Sequence, residues 1–139
     1  MDTHSSAKAS KVEASLKSES SRPILHSYWR SSCSWRVRIA LNLKNIEFEY
    51  AGVNLLNNEQ TLSSFSTMNP NRRVPTLKID GHVLNQSGAI LEYLDETRPS
   101  PALLPGDYFL RAQIRNVCDI IGCDIQPVQN LAVLKRVCT

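Results

Sequence analysis

Three side chains able to handle a proton or a thiol stand in a row at Ser31, Ser32 and Cys33. The short apolar run Ile24-Leu25 leads towards them, and an apolar-periodic segment starts directly after them. A strand that passes through a polar loop into a helix carries such residues to a helix N-terminus. The first helical turn leaves backbone N–H groups unpaired, and the macrodipole places about half a positive charge there. A thiolate held at that point is stabilised, whether it belongs to the protein or to a bound ligand. Serine is also a preferred helix cap, so from spacing alone plain capping stays open beside the chemistry.

Two further places have similar potential. In Val74-Pro75 the X-Pro bond adopts cis at low cost, unlike other peptide bonds, although an ordinary turn before a strand reads the same way. Gln86-Ser87 opens an apolar-periodic stretch, where backbone N–H groups and the Ser87 hydroxyl can hold a carboxylate or simply cap a helix. Arg36 lies near Cys33 and suits an anionic substrate, whereas Arg38 falls on the polar stripe and reads as solvated. Trp29 and Trp35 read as packing residues. The cysteines, Cys33, Cys118, Cys123 and Cys138, form no C-x-x-C pair and have no histidine cluster beside them, which argues against zinc and against dithiol exchange. Arg36 stands where a second cysteine of a dithiol motif would be, so only monothiol chemistry stays open for Cys33. Cys118, Cys123 and Cys138 read as small buried apolar residues.

The elements that must position these residues follow from periodicity. Residues 1–22 form a Ser- and Lys-rich extension with seven serines in its first 21 positions, too polar to offset the entropy of ordering. It has no apolar centre of a signal peptide, and Asp2, Glu13 and Glu19 argue against a transit peptide. Ile24 to Tyr28 predicts a first strand, and Trp35, Ile39, Leu43 and Ile46, widened by Val37, Ala40 and Leu41, predict the inner face of a helix. Glu47 to Val53 alternates as a strand, and Glu59 to Met68 predicts a short helix ended by Asn69-Pro70. Asp80-Gly81 between two alternating runs predicts a hairpin. Ser87 then caps a helix with Ile90, Leu91 and Leu94 inside.

Three prolines mark residues 99–106 as a linker. Asp107 starts a helical pattern through Ile114, Val117, Cys118 and Ile121, interrupted at Gly122 and Pro127 and resumed from Val128 to Val137. The order βαβαββα over 23–98, then helices over 107–139, predicts an α/β thioredoxin-like domain followed by the beginning of an all-α domain. The 33 residues after the linker are too few to enclose a core of their own.

The 139 residues are 42% apolar and 21% charged, with a net charge of +3. This composition fits an ordinary soluble protein, and the mild positive excess suits a small anionic substrate. It predicts neither nucleic-acid binding, for which basic-aromatic alternation is missing, nor a membrane span, which needs roughly 20 apolar residues in a row. A reducing, cytoplasmic setting is the expectation for its cysteines.

Four motifs coincide in order: Ser31-Ser32-Cys33-Ser34-Trp35-Arg36 with the Val-Arg-Ile-Ala-Leu run after it, Val74-Pro75-Thr76-Leu77, Asn85-Gln86-Ser87, and Ile125-Gln126-Pro127-Val128-Gln129-Asn130-Leu131. Together they resemble the zeta class of glutathione S-transferases from about Pro23 to the end. The family resemblance implies that a thioredoxin-like domain binds glutathione, that a helical domain completes the electrophile site, and that the assembly is a homodimer. It also implies glutathione-dependent cis–trans isomerisation of maleylacetoacetate in tyrosine and phenylalanine breakdown, with attack on small α-halo acids as a related activity. By the same resemblance, Ser31 donates to the glutathione thiolate, and Ser32 and Cys33 line the pocket beside Ser34, Trp35 and Arg36. Val74 presents its backbone to the cysteinyl group across a cis proline, and Gln86 and Ser87 hold the γ-glutamyl carboxylate. Gln60, Gln126, Asn130, Leu131 and Ala132 align with further glutathione contacts. The family's helical domain would have just begun where this sequence stops, at Thr139. Two other readings therefore stand beside the isomerase: a shortened glutathione-binding protein with little catalysis, and a monothiol redox protein using Cys33.

Overall fold

Strand β1 (Ile24–Ser27) has a partner on each side and so forms the middle of a four-stranded sheet of order β2-β1-β3-β4. It runs parallel to β2 (Glu49–Gly52) and antiparallel to β3 (Thr76–Ile79), which pairs antiparallel with β4 (His82–Asn85). A parallel neighbour cannot be reached by a tight turn, so helix α1 (Ser32–Leu43) makes the crossover. The hairpin is tight because Asp80 and Gly81 both take positive φ, 52° and 77°, as a two-residue turn matched to sheet twist requires. The computed structural model describes residues 22–137, which divide into two compact units, one ending at Thr97 and one beginning at Arg98. The expected disordered stretch up to residue 21, and Cys138, lie outside the described residues.

Side chains alternate along β1 and two layers cover the sheet. His26 meets Phe65 of the short helix α2 (Ser63–Ser66), while Tyr28, Val53, Phe65 and Val74 cluster with Leu55 and Met68 on that same face. Leu25 and Leu77 point the other way, and both are fully buried. On that side lie α1 and α3 (Ser87–Thr97), which pack on each other and bury Val37, Leu41, Ile90 and Leu94.

The burial of α1 matches the sequence expectation at Val37, Ala40 and Leu41 and corrects it elsewhere. Its inner face is Ser34, Val37, Ala40 and Leu41, and Trp35, Ile39 and Leu43 point outwards. Periodicity picked the row with the largest apolar side chains. The face that turns inwards is centred on Val37, Ala40 and Leu41, with small Ser34 and Ala40 letting the helix lie close, and it continues into Lys44. The side chain of Lys44 is completely buried, and its Nζ lies 2.9 Å from Asp95 Oδ1 on α3. Three further expectations change in detail. The predicted helix over 59–68 is a 3-10 turn (Glu59–Thr61) and α2, separated by an extended Leu62 at ψ 145°. The second strand is shorter than the alternation suggested. Ser87 is the first residue of α3 rather than its cap; Gln86, at φ 69°, precedes it and accepts the N–H of Ile90.

In the second unit, Asp107 caps α4 (Tyr108–Asp119) through Leu110 N–H. The chain passes through Gly122 without a break, as a π-helical stretch (Ile120–Ile125), then makes a 3-10 turn (Pro127–Gln129) and ends in α5 (Leu131–Val137). None of these elements buries a residue. Cys118 and Cys123 are therefore exposed, contrary to the expectation of buried small residues. Among the described residues no helix is long and apolar enough to cross a membrane.

Two outcomes follow from the first unit. Asp95→Ala leaves the buried Lys44 ammonium without its carboxylate and should lower unfolding free energy by roughly 3–5 kcal/mol, read by urea titration. Replacing both members with apolar residues should recover most of the loss. His26 supplies a pH dependence. Its Nε2 is buried without a hydrogen-bond partner. Burial lowers its pKa below the usual 6.5, Lys78 adds to the lowering, and Glu49 opposes it. The folded state thus binds the proton less readily than the unfolded chain. The associated stability is complete above about pH 6.5 and is lost as pH falls through the lowered value. Urea midpoints measured across that window should fall for the native chain and fall less for His26→Gln.

Candidate active site

The pairing directions decide where the candidate residues meet. Strands β1 and β4 run the same way, and β3 runs opposite to both. The turn into α1, the turn into α3 and the start of β3 therefore lie along one edge of the sheet. The register places His26, Thr76 and Asn85 side by side there. Ser31, Val74 and Gln86 each stand just outside that line, so three segments distant in sequence converge on one edge. β2 runs parallel to β1, so the chain that leads to Gln60 departs from the same edge.

Ser31 is the cap of α1, with φ −77° and ψ 112°. Its N–H donates to Tyr28 C=O at 2.9 Å, and its Oγ accepts the Ser34 N–H at 3.1 Å. Accepting that bond leaves the hydroxyl proton available to a ligand. The N–H groups of Ser32 and Cys33 make no backbone hydrogen bond among the described residues, as the first turn of a helix requires. At the start of α3, the N–H groups of Ser87 and Gly88 are likewise unengaged. Ser87 is buried and the Gln86 side chain is exposed. Two helix N-termini, with their partial positive charges, thus face the same edge.

Between them lies Val74. It is buried, its bond to Pro75 is cis, and neither its N–H nor its C=O joins a backbone hydrogen bond among the described residues. Gln60 sits half-buried on its 3-10 turn with Oε1 buried and unpaired. Ser34 is completely buried and its Oγ also has no partner, which turns it towards the interior rather than a ligand.

The arginines and tryptophans differ from their sequence expectations. Arg36 Nη2 donates to Cys33 Sγ at 3.1 Å, so the cation expected to attract substrate is engaged with the thiol. Arg38 is not simply solvated: its Nη2 donates to Trp29 C=O at 3.2 Å, and its Cζ lies 5.9 Å from the rings of both Trp35 and Tyr50. Trp29 and Trp35, expected to pack, are 69% and 60% exposed. They sit at the turn and on the outward side of α1, where cationic side chains meet them, Arg30 lying 5.6 Å above Trp29, whose ring is also 6.1 Å from that of Tyr28.

Gln126, Asn130, Leu131 and Ala132 belong to the second unit. There Asn130 Oδ1 accepts the Ala132 N–H at 3.0 Å, and Asn130 C=O accepts that of Leu134, so the residue caps α5. Two important residues of the first unit were not singled out by sequence: Lys44, and Asn69, read only as a helix stop. An asparagine directly before a proline was the available signal for Asn69, because that pair favours turns.

Comparison with known proteins gives a consistent result. The family described as "Glutathione S-transferase, N-terminal domain" matches residues 30–97. The maleylacetoacetate isomerase of Rattus norvegicus is 54% identical over 121 residues, covering 86% of this chain and 56% of the rat protein. Among solved structures, the holo form of maleyl pyruvate isomerase, a bacterial zeta-class glutathione S-transferase, superposes with a TM-score of 0.80 at 44% identity, covering 82% of this chain and 54% of its own. Maleylacetoacetate isomerase from Anaeromyxobacter dehalogenans, solved with GSH bound in its active site, gives a TM-score of 0.72 at 45% identity over 83% of this chain and 55% of that one. The chain spans about half the length of the curated relatives it matches. With its thioredoxin-like sheet and its motif order, the chain belongs to the zeta class of glutathione S-transferases.

Proposed function

We propose that the chain binds glutathione along the shared sheet edge and uses its thiolate for the cis–trans isomerisation of maleylacetoacetate. The observation that supports this reading is the convergence of three kinds of uncommitted group: the Ser31 hydroxyl proton, the Val74 backbone and the N–H groups opening α1 and α3. A free tripeptide thiol has a pKa of roughly 8.5, so only a small fraction is thiolate at neutral pH. A hydroxyl donor and a helix N-terminus favour the charged form. The γ-glutamyl carboxylate suits the start of α3, with Gln86 and Ser87, and the cysteinyl amide suits Val74. Gln60 supplies a further amide.

The thiolate adds to the activated double bond, forming a C–S bond and moving the π electrons onto the carbonyl-conjugated carbon. Rotation follows about what is now a single bond. Loss of the thiolate restores the double bond in the trans arrangement and gives fumarylacetoacetate. Glutathione returns unchanged, so it acts as a cofactor. Attack by the same thiolate on a small α-halo acid would release halide instead. The chain's own residues hold and orient the thiolate. The cytoplasmic setting, the homodimer and the contacts from Gln126, Asn130, Leu131 and Ala132 form part of the same proposal.

A second reading rests on the Arg36–Cys33 contact. A guanidinium beside the sulfur suits monothiol exchange with glutathione, in which Cys33 is the attacking group. Glutathione calorimetry and an isomerase assay on the 139-residue chain, beside a chain with a full-length helical domain, separate the possibilities. Isomerase chemistry should lose roughly a hundred- to a thousandfold in turnover on Ser31→Ala, the usual cost of losing a single catalytic donor. Cys33→Ala should retain most turnover. Redox chemistry reverses the two results. Ser31→Ala also removes a cap worth about 1 kcal/mol, so unfolding is followed in parallel. Absence of glutathione binding by the unaltered chain would sink the proposal.

A further inference from the structure

A single buried amide holds the loop that presents Val74. Asn69 is 1% exposed and uses all of its hydrogen-bonding groups. Its Nδ2 donates to Arg73 C=O at 2.8 Å and to Thr76 Oγ1 at 2.9 Å. Its Oδ1 accepts the Asn71 N–H at 3.0 Å. Its backbone N–H donates to Phe65 C=O, and its C=O accepts the Arg72 N–H. Thr76 Oγ1, accepting from Asn69, donates its own proton to Arg73 C=O at 3.3 Å. The side chain therefore grips the loop at Arg73 and at Thr76, with only Val74 and Pro75 between the two grips.

The loop needs such a tether. Arg72 has φ 52°, a left-handed conformation that an L side chain adopts only at some cost, so local preference alone would let the segment relax. Only an amide has the required combination of two donors and one acceptor on one planar group; a carboxylate lacks the donors and an apolar residue lacks both. Thr76 is completely buried, and its hydroxyl serves as acceptor and donor at once.

Building on the glutathione reading, we propose that Asn69 is a positioning residue: its clamp onto Arg73 and Thr76 holds the Val74 backbone in the orientation that receives the cysteinyl amide of glutathione. Asn69 touches no ligand itself and acts through Val74. Affinity for glutathione thus depends on a hydroxyl and an amide one layer beneath the site.

Variants at Thr76 test this with less risk of unfolding than Asn69→Ala. Thr76→Val keeps the shape and removes the hydroxyl, whereas Thr76→Ser keeps the hydroxyl and removes a methyl. Positioning through the hydroxyl predicts a roughly three- to tenfold rise in glutathione Kd for Thr76→Val, the worth of about one hydrogen bond, and a change within about twofold for Thr76→Ser. A role in packing alone predicts the opposite order. Glutathione calorimetry on the 139-residue chain reads the affinities, and hydrogen exchange of the Asn71 amide, bonded to Asn69 Oδ1, reads the clamp without ligand. The Asn71 amide should exchange faster in Thr76→Val and as in the native chain in Thr76→Ser. Equal glutathione affinity in the native and Thr76→Val chains, or a larger loss for Thr76→Ser, would overturn the proposal. Failure of the native chain to bind glutathione removes the functional reading; the proposal then falls if Asn71 exchange is the same in all three chains and otherwise stands as a fixed Val74 geometry.

Discussion

The buried ion pair between Lys44 and Asp95 ties the two helices that flank the candidate site. Lys44 follows the last residue of α1, and Asp95 lies near the end of α3. Joining the helices at these ends fixes them side by side, running the same way, with both N-termini directed to one sheet edge. An ion pair in such a place has little net stabilising value against an apolar substitute, because both charges must be desolvated. Its strength lies in intolerance of a lone partner, which makes the register of α1 against α3 hard to shift. The parallel direction of β1 and β4 sets the same geometry from the sheet side.

The opposite face of the sheet has a different task. There the apolar cluster of Tyr28, Val53, Phe65 and Val74 anchors α2, and the Asn69 network carries order from α2 to the start of β3. The candidate site lies where these two constraints meet: helix N-termini from one layer and an open backbone segment from the other. Neither layer alone would bring Ser31, Val74 and Gln86 together.

The second unit contrasts with the first. Val117 on the capped helix α4, Ile120, Ile121 and Ile125 on the π-helical stretch, and Val133 and Leu134 on α5 are all exposed. Local rules of capping and periodicity are enough to shape such helices, whereas burial requires further chain or a partner.

Much of the fold was legible in the sequence because its signals are local. The Asp80-Gly81 turn demanded two positive φ values, the Asp107 cap preceded a periodic helix, and the βαβ order forced a parallel pair. Family membership was legible too, since the run from Ser31 through Leu41 is contiguous. The inner face of α1 was legible only in part: Val37, Ala40 and Leu41 lie there as expected. Trp35, Ile39 and Leu43 have the apolar size that suggests burial, but Ser34 and Lys44 turn inwards in their place, because close approach favours a small side chain and a buried ammonium had Asp95 to meet. By itself the sequence determined which residue types stand at each helix start and the order of the strands, because caps, turns and periodicity act over a few residues. Only the tertiary structure decided that Ser31, Val74 and Gln86 share an edge, that Arg36 reaches Cys33, and that Asn69 holds the loop between them. Those relations depend on strand pairing and burial between segments far apart in the chain, and no local preference encodes them.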